Sequence, residues 1–183
     1  MKQKKTESIR YKYELLLDEK TIKQRIKVLA RQIDHDYKGT VPIFLSILHG
    51  AFIFTADLFR SLSIDCEVEF LRVSSYGNET KTTGKIKLIT PIPRIITDRN
   101  ILIVEDIIDS GNTVKFLKKE LKKYNPRSLK IISLLYKNEN APKDVKVDYI
   151  GFEIPNHFVV GYGLDFMQQK RNLKNIYRLV EEQ

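Results

Sequence analysis

Short apolar runs alternating with amphipathic helical stretches mark this chain as α/β, folded around a parallel sheet. Val41–Leu48 (VPIFLSIL) is a short run of apolar, β-type residues with almost no polar alternation, as in a strand covered on both faces. Thr21 to Tyr37 instead sets Ile22, Ile26, Leu29 and Ile33 at helical spacing, with Lys, Arg and Gln between them. At 183 residues, 42% of them hydrophobic, the chain is long enough for one well-buried core and short for two.

The remaining elements continue the alternation. Ala51–Leu62 (AFIFTADLFRSL) predicts a helix with Phe52, Thr55, Ala56 and Phe59 on one face, and Glu67–Val73 a second strand. From Ser74 to Lys85 the residues turn polar, with two Gly, three Thr and almost nothing apolar. That composition predicts a long loop, of the kind that serves compact domains as a mobile lid. Ile101–Val104 is a third strand. Thr113–Tyr124 is a helix with Val114, Leu117, Leu121 and Tyr124 in register, and Leu129–Leu135 and Val147–Ile154 complete the strands. There is no internal repeat and no low-complexity segment.

The 32 Lys and Arg against 23 Asp and Glu leave a formal charge of +9, which suits an anionic partner: nucleic acid, a membrane surface or a phosphorylated metabolite. Cys66 is the only cysteine, which excludes an internal disulfide and a cysteine metal cage. The first residues are basic but carry no apolar h-region, and no apolar run approaches the roughly 18 residues that span a bilayer. The expectation is a soluble, cytoplasmic protein without a membrane partner.

The chemistry concentrates in ILIVEDIIDSGNT, Ile101 to Thr113. An apolar strand ends in Glu105 and Asp106, and Asp109 follows just before Ser110, Gly111, Asn112 and Thr113, where a helix opens. Ligands of open parallel sheets bind beyond the carboxyl ends of strands. The turn supplies successive backbone N–H groups, a glycine that permits close approach, hydroxyls and a helix N-terminus, a cradle suited to a monophosphate. The carboxylates would repel phosphate, but they can accept hydrogen bonds from a vicinal diol. Together these features describe a grip for ribose 5-phosphate. In the blander reading, Asp109 or Ser110 caps the helix and the other two acids are exposed loop residues; three carboxylates within five positions weigh against it. The turn lacks the Gly-Lys-Ser/Thr ending of a P-loop, and no G-x-G-x-x-G follows a strand.

This segment resembles the PRPP-binding motif of type I phosphoribosyltransferases. The resemblance extends to the hypoxanthine-guanine phosphoribosyltransferases from Val41 to about Arg171, through SILHGAF, FLRVSSYGN, VEDIIDSGNT, SLLYKNEN and GFEIPNHFVVGYGLDF, in the family's order. It implies the type I fold: a central, mainly parallel sheet flanked by helices, over a core of about 38–155. The termini, about 1–20 and 155–183, would form a small hood, all within one domain.

The resemblance also implies roles. Asp109 matches the general acid/base at purine N7. Glu105 and Asp106 match the pair that binds the ribose hydroxyls and touches Mg²⁺, and Ser110, Gly111, Asn112 and Thr113 match the 5′-phosphate loop. Lys137, by itself an ordinary surface lysine, matches the donor to the purine 6-oxo group. Phe158, by itself a core aromatic, matches the residue that stacks on the base, and Val159 would offer backbone groups to the purine edge. Asp165 matches the ligand of a second Mg²⁺ carrying pyrophosphate, and Arg171 the arginine that holds pyrophosphate. Leu48, His49 and Gly50 match the first pyrophosphate loop, where the family has a non-proline cis peptide that aims a backbone N–H at the diphosphate. Ser75 and Tyr76 match the mobile loop. His49 and His157 stand where relatives often have Lys. With His35 they are too scattered to read as a metal site.

The implied reaction joins hypoxanthine or guanine to PRPP, giving IMP or GMP and pyrophosphate with Mg²⁺ as cofactor, in a homodimer or homotetramer. Same-fold enzymes acting on xanthine, adenine or a pyrimidine are rival readings. An ammonium at Lys137 cannot accept from an amino group, which counts against adenine. A phosphoribosyltransferase-like regulator that binds RNA would suit the charge, but would not need the lid, Lys137, Phe158, Asp165 and Arg171; nucleic acid is therefore not an expected partner.

Overall fold

The computed structural model of the chain describes residues 11–78, 81–139 and 145–181, the side chains of 75–78 and 81–85 excepted. Two sheets organise them. The larger has six strands: β2 (Ile43–Leu48), β3 (Glu67–Asn78), β4 (Lys81–Leu88), β5 (Asn100–Ile108), β6 (Ser128–Tyr136) and β7 (Tyr149–Glu153), in the order β4-β3-β2-β5-β6-β7. All neighbours are parallel except β3 and β4. The smaller sheet is antiparallel, with β1 (Tyr11–Leu17), β9 (Ile176–Glu181) and β8 (Val159–Val160) side by side.

Strand alternation divides the core between the two faces of the large sheet. Phe44, Leu102 and Val104 pack under helices α1 (Glu19–Asp36) and α2 (Phe52–Phe59), against Ile22, Ile26, Leu29, Ile33, Phe54 and Leu58. Ile43, Leu45, Ile101 and Ile103 point the other way, onto Leu117 and Leu121 of α3 (Asn112–Lys122) and onto Ile92 and Ile96. Helix α1 starts two residues before the expected Thr21 because Asp18 caps it, Oδ1 accepting from the Thr21 N–H at 2.7 Å. Asn175 adds a second cap by accepting from the Glu19 N–H at 2.8 Å, which ties α1 to the far end of the chain.

Three expectations need correction. The polar stretch 74–85 is not an irregular loop. β3 runs on through Asn78 and pairs antiparallel with β4, Val73 opposite Leu88 and Tyr76 opposite Lys85, so the ladder satisfies the backbone of a polar segment. Ser75 and Tyr76 thus lie in β3, their side chains outside the described residues, as are positions 79 and 80. Secondly, α2 faces inward through Phe54, Thr55 and Leu58, leaving Phe52 43% exposed and Ala56 on the outside. Thirdly, β5 does not stop at Val104; it carries Glu105 and Asp106 inside the strand, with Glu105 opposite Ser133 of β6.

From β2 the chain steps to β3 on one side and returns to β5 on the other. The carboxyl ends of β2 and β5 therefore flank the point where the strand order reverses, the place a ligand crevice opens in such sheets.

Candidate active site

At that point β2 ends at Leu48–His49, a cis peptide bond, followed by Gly50. A Cβ on Gly50 would lie 1.5 Å from Asp106 Oδ2, and a Cβ on Gly163 would lie 2.1 Å from the Gly50 carbonyl oxygen. The loop after β2, the acidic end of β5 and the segment after β8 are thus pressed together, with glycine at both crossings. Gly163 has φ +102°, a left-handed backbone that also favours glycine. It had no signal in the sequence beyond its place in GYGLDF. Tyr162, beside it, anchors the segment to α2 by donating to Asp57 Oδ2.

Glu105 is buried, 7% exposed, and burial pushes its carboxyl well above the usual range, the negative charge of Asp106 adding to the effect. Asp106 is partly buried, and burial raises its carboxyl to about 6. The Ile107 N–H, which donates to Oδ1 at 2.8 Å, and the Arg171 charge work against that rise, whereas the Asp165 charge adds to it. Carboxylates that burden one another in this way suit a divalent cation. Glu105, Asp106 and Asp165 offer the hard oxygen donors of Mg²⁺, which commonly takes one or two carboxylates and completes its shell with water and substrate phosphates. Among the described residues no group of three or more His, Cys, Asp or Glu side chains forms a metal cage, and His35, His49 and His157 are not brought together in one.

Beyond β5, Gly111 takes the N-cap position of α3 at φ +67°, and no side chain caps the helix. Among the described residues, the first amides of α3, from Asn112 and Thr113, accordingly carry no side-chain cap. Asp109 does not serve as the cap. Its Oδ2 accepts from Lys137 Nζ at 2.7 Å. Lys137, expected alone to be a surface lysine, is 7% exposed, fixed at the end of β6 by its N–H to the Ile108 carbonyl at 2.9 Å. Its ammonium also donates to Asn156 Oδ1 at 3.2 Å, a residue that sequence reasoning passed over.

Phe158 is not a core aromatic: it is 57% exposed and edge-on to Phe166, with ring centroids 5.9 Å apart. Val159 is buried in β8 opposite Arg178 of β9. His157 Nε2 lies 3.4 Å from Arg178 Nη1, and Arg178 bonds to Glu14 of β1, so the loop before Phe158 is tied to the small sheet. Arg171 pairs with Asp165 at 2.7 Å and donates to the Gly163 carbonyl at 2.8 Å. In all, the fold joins Gly50 to Asp106, Lys137 to Asp109 and Arg171 to Asp165, and leaves Phe158 as an open aromatic face.

A glycine turn that opens a helix, beside adjacent carboxylates at a sheet's reversal point, is the arrangement of the type I phosphoribosyltransferase fold class. The chain belongs to the phosphoribosyltransferase family: the family model for the phosphoribosyl transferase domain matches residues 12–167. More particularly, it is 40% identical to the hypoxanthine-guanine phosphoribosyltransferase of Bacillus subtilis over 162 residues, 88% of this chain and 90% of that protein. It is 42% identical to the Dictyostelium discoideum enzyme of the same name over 173 residues, 92% and 96% of the two chains. Among solved structures, a hypoxanthine-guanine phosphoribosyltransferase from Bacillus anthracis superposes with a TM-score of 0.86 at 40% identity, over 93% of this chain and 99% of that one.

Proposed function

We propose that this chain transfers the 5-phosphoribosyl group of PRPP to hypoxanthine or guanine, releasing IMP or GMP and pyrophosphate. The observation that carries the reading is the Lys137–Asp109 pair: a donor suited to a 6-oxo group held 2.7 Å from a carboxylate suited to N7. Both stand next to the ribose 5-phosphate grip of Glu105, Asp106 and the Ser110–Thr113 turn.

The residues divide the work by charge. The amides of Gly111, Asn112 and Thr113 and the hydroxyls of Ser110 and Thr113 take the 5′-phosphate, while Glu105 and Asp106 accept from the ribose hydroxyls. The backbone at Leu48, His49 and Gly50 faces the diphosphate, and Arg171, released from Asp165, clamps it with two parallel donors. One Mg²⁺ at Glu105 and Asp106 and a second held with the diphosphate by Asp165 would neutralise charge on the departing oxygens. As pyrophosphate leaves, positive charge builds at the anomeric carbon as in glycoside cleavage, and N9 attacks from the opposite face. Asp109 exchanges the proton at N7, Phe158 stacks on the base, and the Val159 backbone meets its edge. The β3–β4 hairpin, with Ser75 and Tyr76, would cover the crevice and keep water from PRPP.

The apolar Phe52, Val68 and Phe70, 38–45% exposed on α2 and β3, support a homodimer or homotetramer, which sedimentation would detect. The lone Cys66 supports a cytoplasmic setting, and among the described residues no helix is long and apolar enough to cross a membrane. The deciding experiment incubates purified protein with PRPP and Mg²⁺ and, in turn, hypoxanthine, guanine, xanthine and adenine. IMP and GMP are the expected products; absence of both would overturn the reading.

A further inference from the structure

We propose that Asn156 is a positioning residue for base selection. By accepting a hydrogen bond from Lys137, it would keep the ammonium at the 6-oxo position while Asp109 attends to N7. The inference rests on the base site proposed above.

A lysine side chain is a point charge on a flexible four-carbon stem, and it reads a substrate oxygen only if something fixes where that charge sits. The Lys137 side chain is 8% exposed, so its ammonium needs acceptors from the protein. Among the described residues it has two: Asp109 Oδ2 at 2.7 Å, from the turn after β5, and Asn156 Oδ1 at 3.2 Å, from the loop after β7. An ammonium has three donors, which leaves one for a base. The orientation of the amide follows from chemistry, since a donor-only ammonium must face its oxygen.

The two acceptors differ in one respect. Asp109 is the group that has to exchange a proton with the base, and any movement toward N7 draws it from Lys137. Asn156 has no competing task, and as a neutral group it adds no second charge to the Lys137–Asp109 pair. Its place is firm although its side chain is exposed: the Ile154 N–H donates to the Tyr136 carbonyl at 2.9 Å, and the His157 N–H turns back to the Pro155 carbonyl at 2.7 Å. Phe158 lies two residues on, so the segment that would stack the base also holds the lysine that would read it.

The test is a set of steady-state measurements on wild type, N156A, N156D, K137A and N156A/K137A. In N156A, KM for hypoxanthine should rise roughly 10-fold, the scale of one hydrogen bond to a charged group, while KM for PRPP stays within twofold. N156D, which keeps an oxygen in the same place, should recover most of that loss. In the K137A background, N156A should add nothing, because the residue acts through the lysine. Unchanged KM for hypoxanthine in N156A, an equal rise for both substrates, or a full further effect in K137A would each overturn the assignment. If K137A itself leaves hypoxanthine use untouched, the base-site reading fails instead.

Discussion

Lys137 and Asp109 share one hydrogen-bonded ion pair of 2.7 Å, with the lysine side chain 8% exposed and the carboxylate 47% exposed. The pairing is asymmetric in a useful way. The cation is sequestered, whereas the carboxylate is nearly half exposed. Under the proposed reading, the proton-transfer group and the carbonyl-reading group would already be in contact before any substrate arrives.

Replacing Asp109 by Asn keeps an acceptor for Lys137 but removes the group that can hold a proton. We expect kcat to fall on the order of 10²–10⁴-fold, with KM for PRPP within threefold and the thermal midpoint little changed. Initial-rate kinetics with hypoxanthine provide the check, and wild-type turnover in D109N would remove Asp109 from the chemistry.

The carboxyl of Asp106, raised by burial to about 6, predicts a pH-dependent cost of carrying charge in the ligand-free protein. An acid whose folded-state value exceeds its unfolded one holds its proton more tightly when folded. Stability therefore declines as pH climbs from 3.8 through about 6, and Glu105 acts in the same direction. Asp106→Asn removes that penalty. In metal-free buffer at pH 8 the variant should be more stable, by up to about 3 kcal/mol, with a rise in Tm of about 2–4 °C per kcal/mol, and the difference should vanish near pH 4. Calorimetry at the two pH values decides; a variant that melts lower at pH 8 contradicts the burial argument. The same variant should use PRPP poorly, a trade of function for stability.

How far these features could be read in advance depends on how local their causes are. β2 declared itself because an eight-residue run apolar on both faces has few other fates, and the acids of β5 stood out beside a glycine turn. The hairpin at 74–85 did not, because its polar sequence has no hydrophobic period, and its ladder is satisfied by a partner rather than by pattern. In α2 the segment FIFTADLF is apolar nearly all round, so spacing fits Phe52 as well as Phe54 and Leu58; tertiary packing buried the latter two, kept Phe59 against Phe44 and left Phe52 outside. β1 and β9 pair Tyr11 with Glu181 across nearly the whole chain, a contact without local signature. Lys137 is one of 32 basic residues; only the parallel register of β5 and β6 reveals that it ends up buried against Asp109.

Gly50 makes a sharper steric prediction than any charge. An alanine there would place its Cβ 1.5 Å from Asp106 Oδ2 and 2.5 Å from its Cγ, well inside contact distance. Either the carboxylate swings away or the loop after β2 retreats. We expect a stability loss of about 1–3 kcal/mol from overpacking, and a loss of PRPP use that exceeds any loss of base binding. Denaturant unfolding and PRPP kinetics on G50A test both halves. A variant with wild-type PRPP kinetics would show that Asp106 need not sit where the structure puts it.

Phe158 is the counterpart case, a residue whose removal should damage function and spare the fold. At 57% exposed, its ring touches Phe166 at an edge and carries little of the core, so Phe158→Ala should unfold within about 0.5 kcal/mol of wild type. Stacking a base on an aromatic ring contributes about 1–3 kcal/mol, which puts the expected rise in KM for hypoxanthine at roughly 5- to 150-fold. Phe158→Tyr preserves the stacking face and should recover most of it. If the ring stacks on the base as proposed, KM for PRPP should move little in either variant. Comparing the two KM values in F158A and F158Y, alongside their melting curves, separates a stacking ring from a structural one: matched rises for both substrates, or a drop in stability that tracks the kinetic loss, would assign Phe158 to the scaffold.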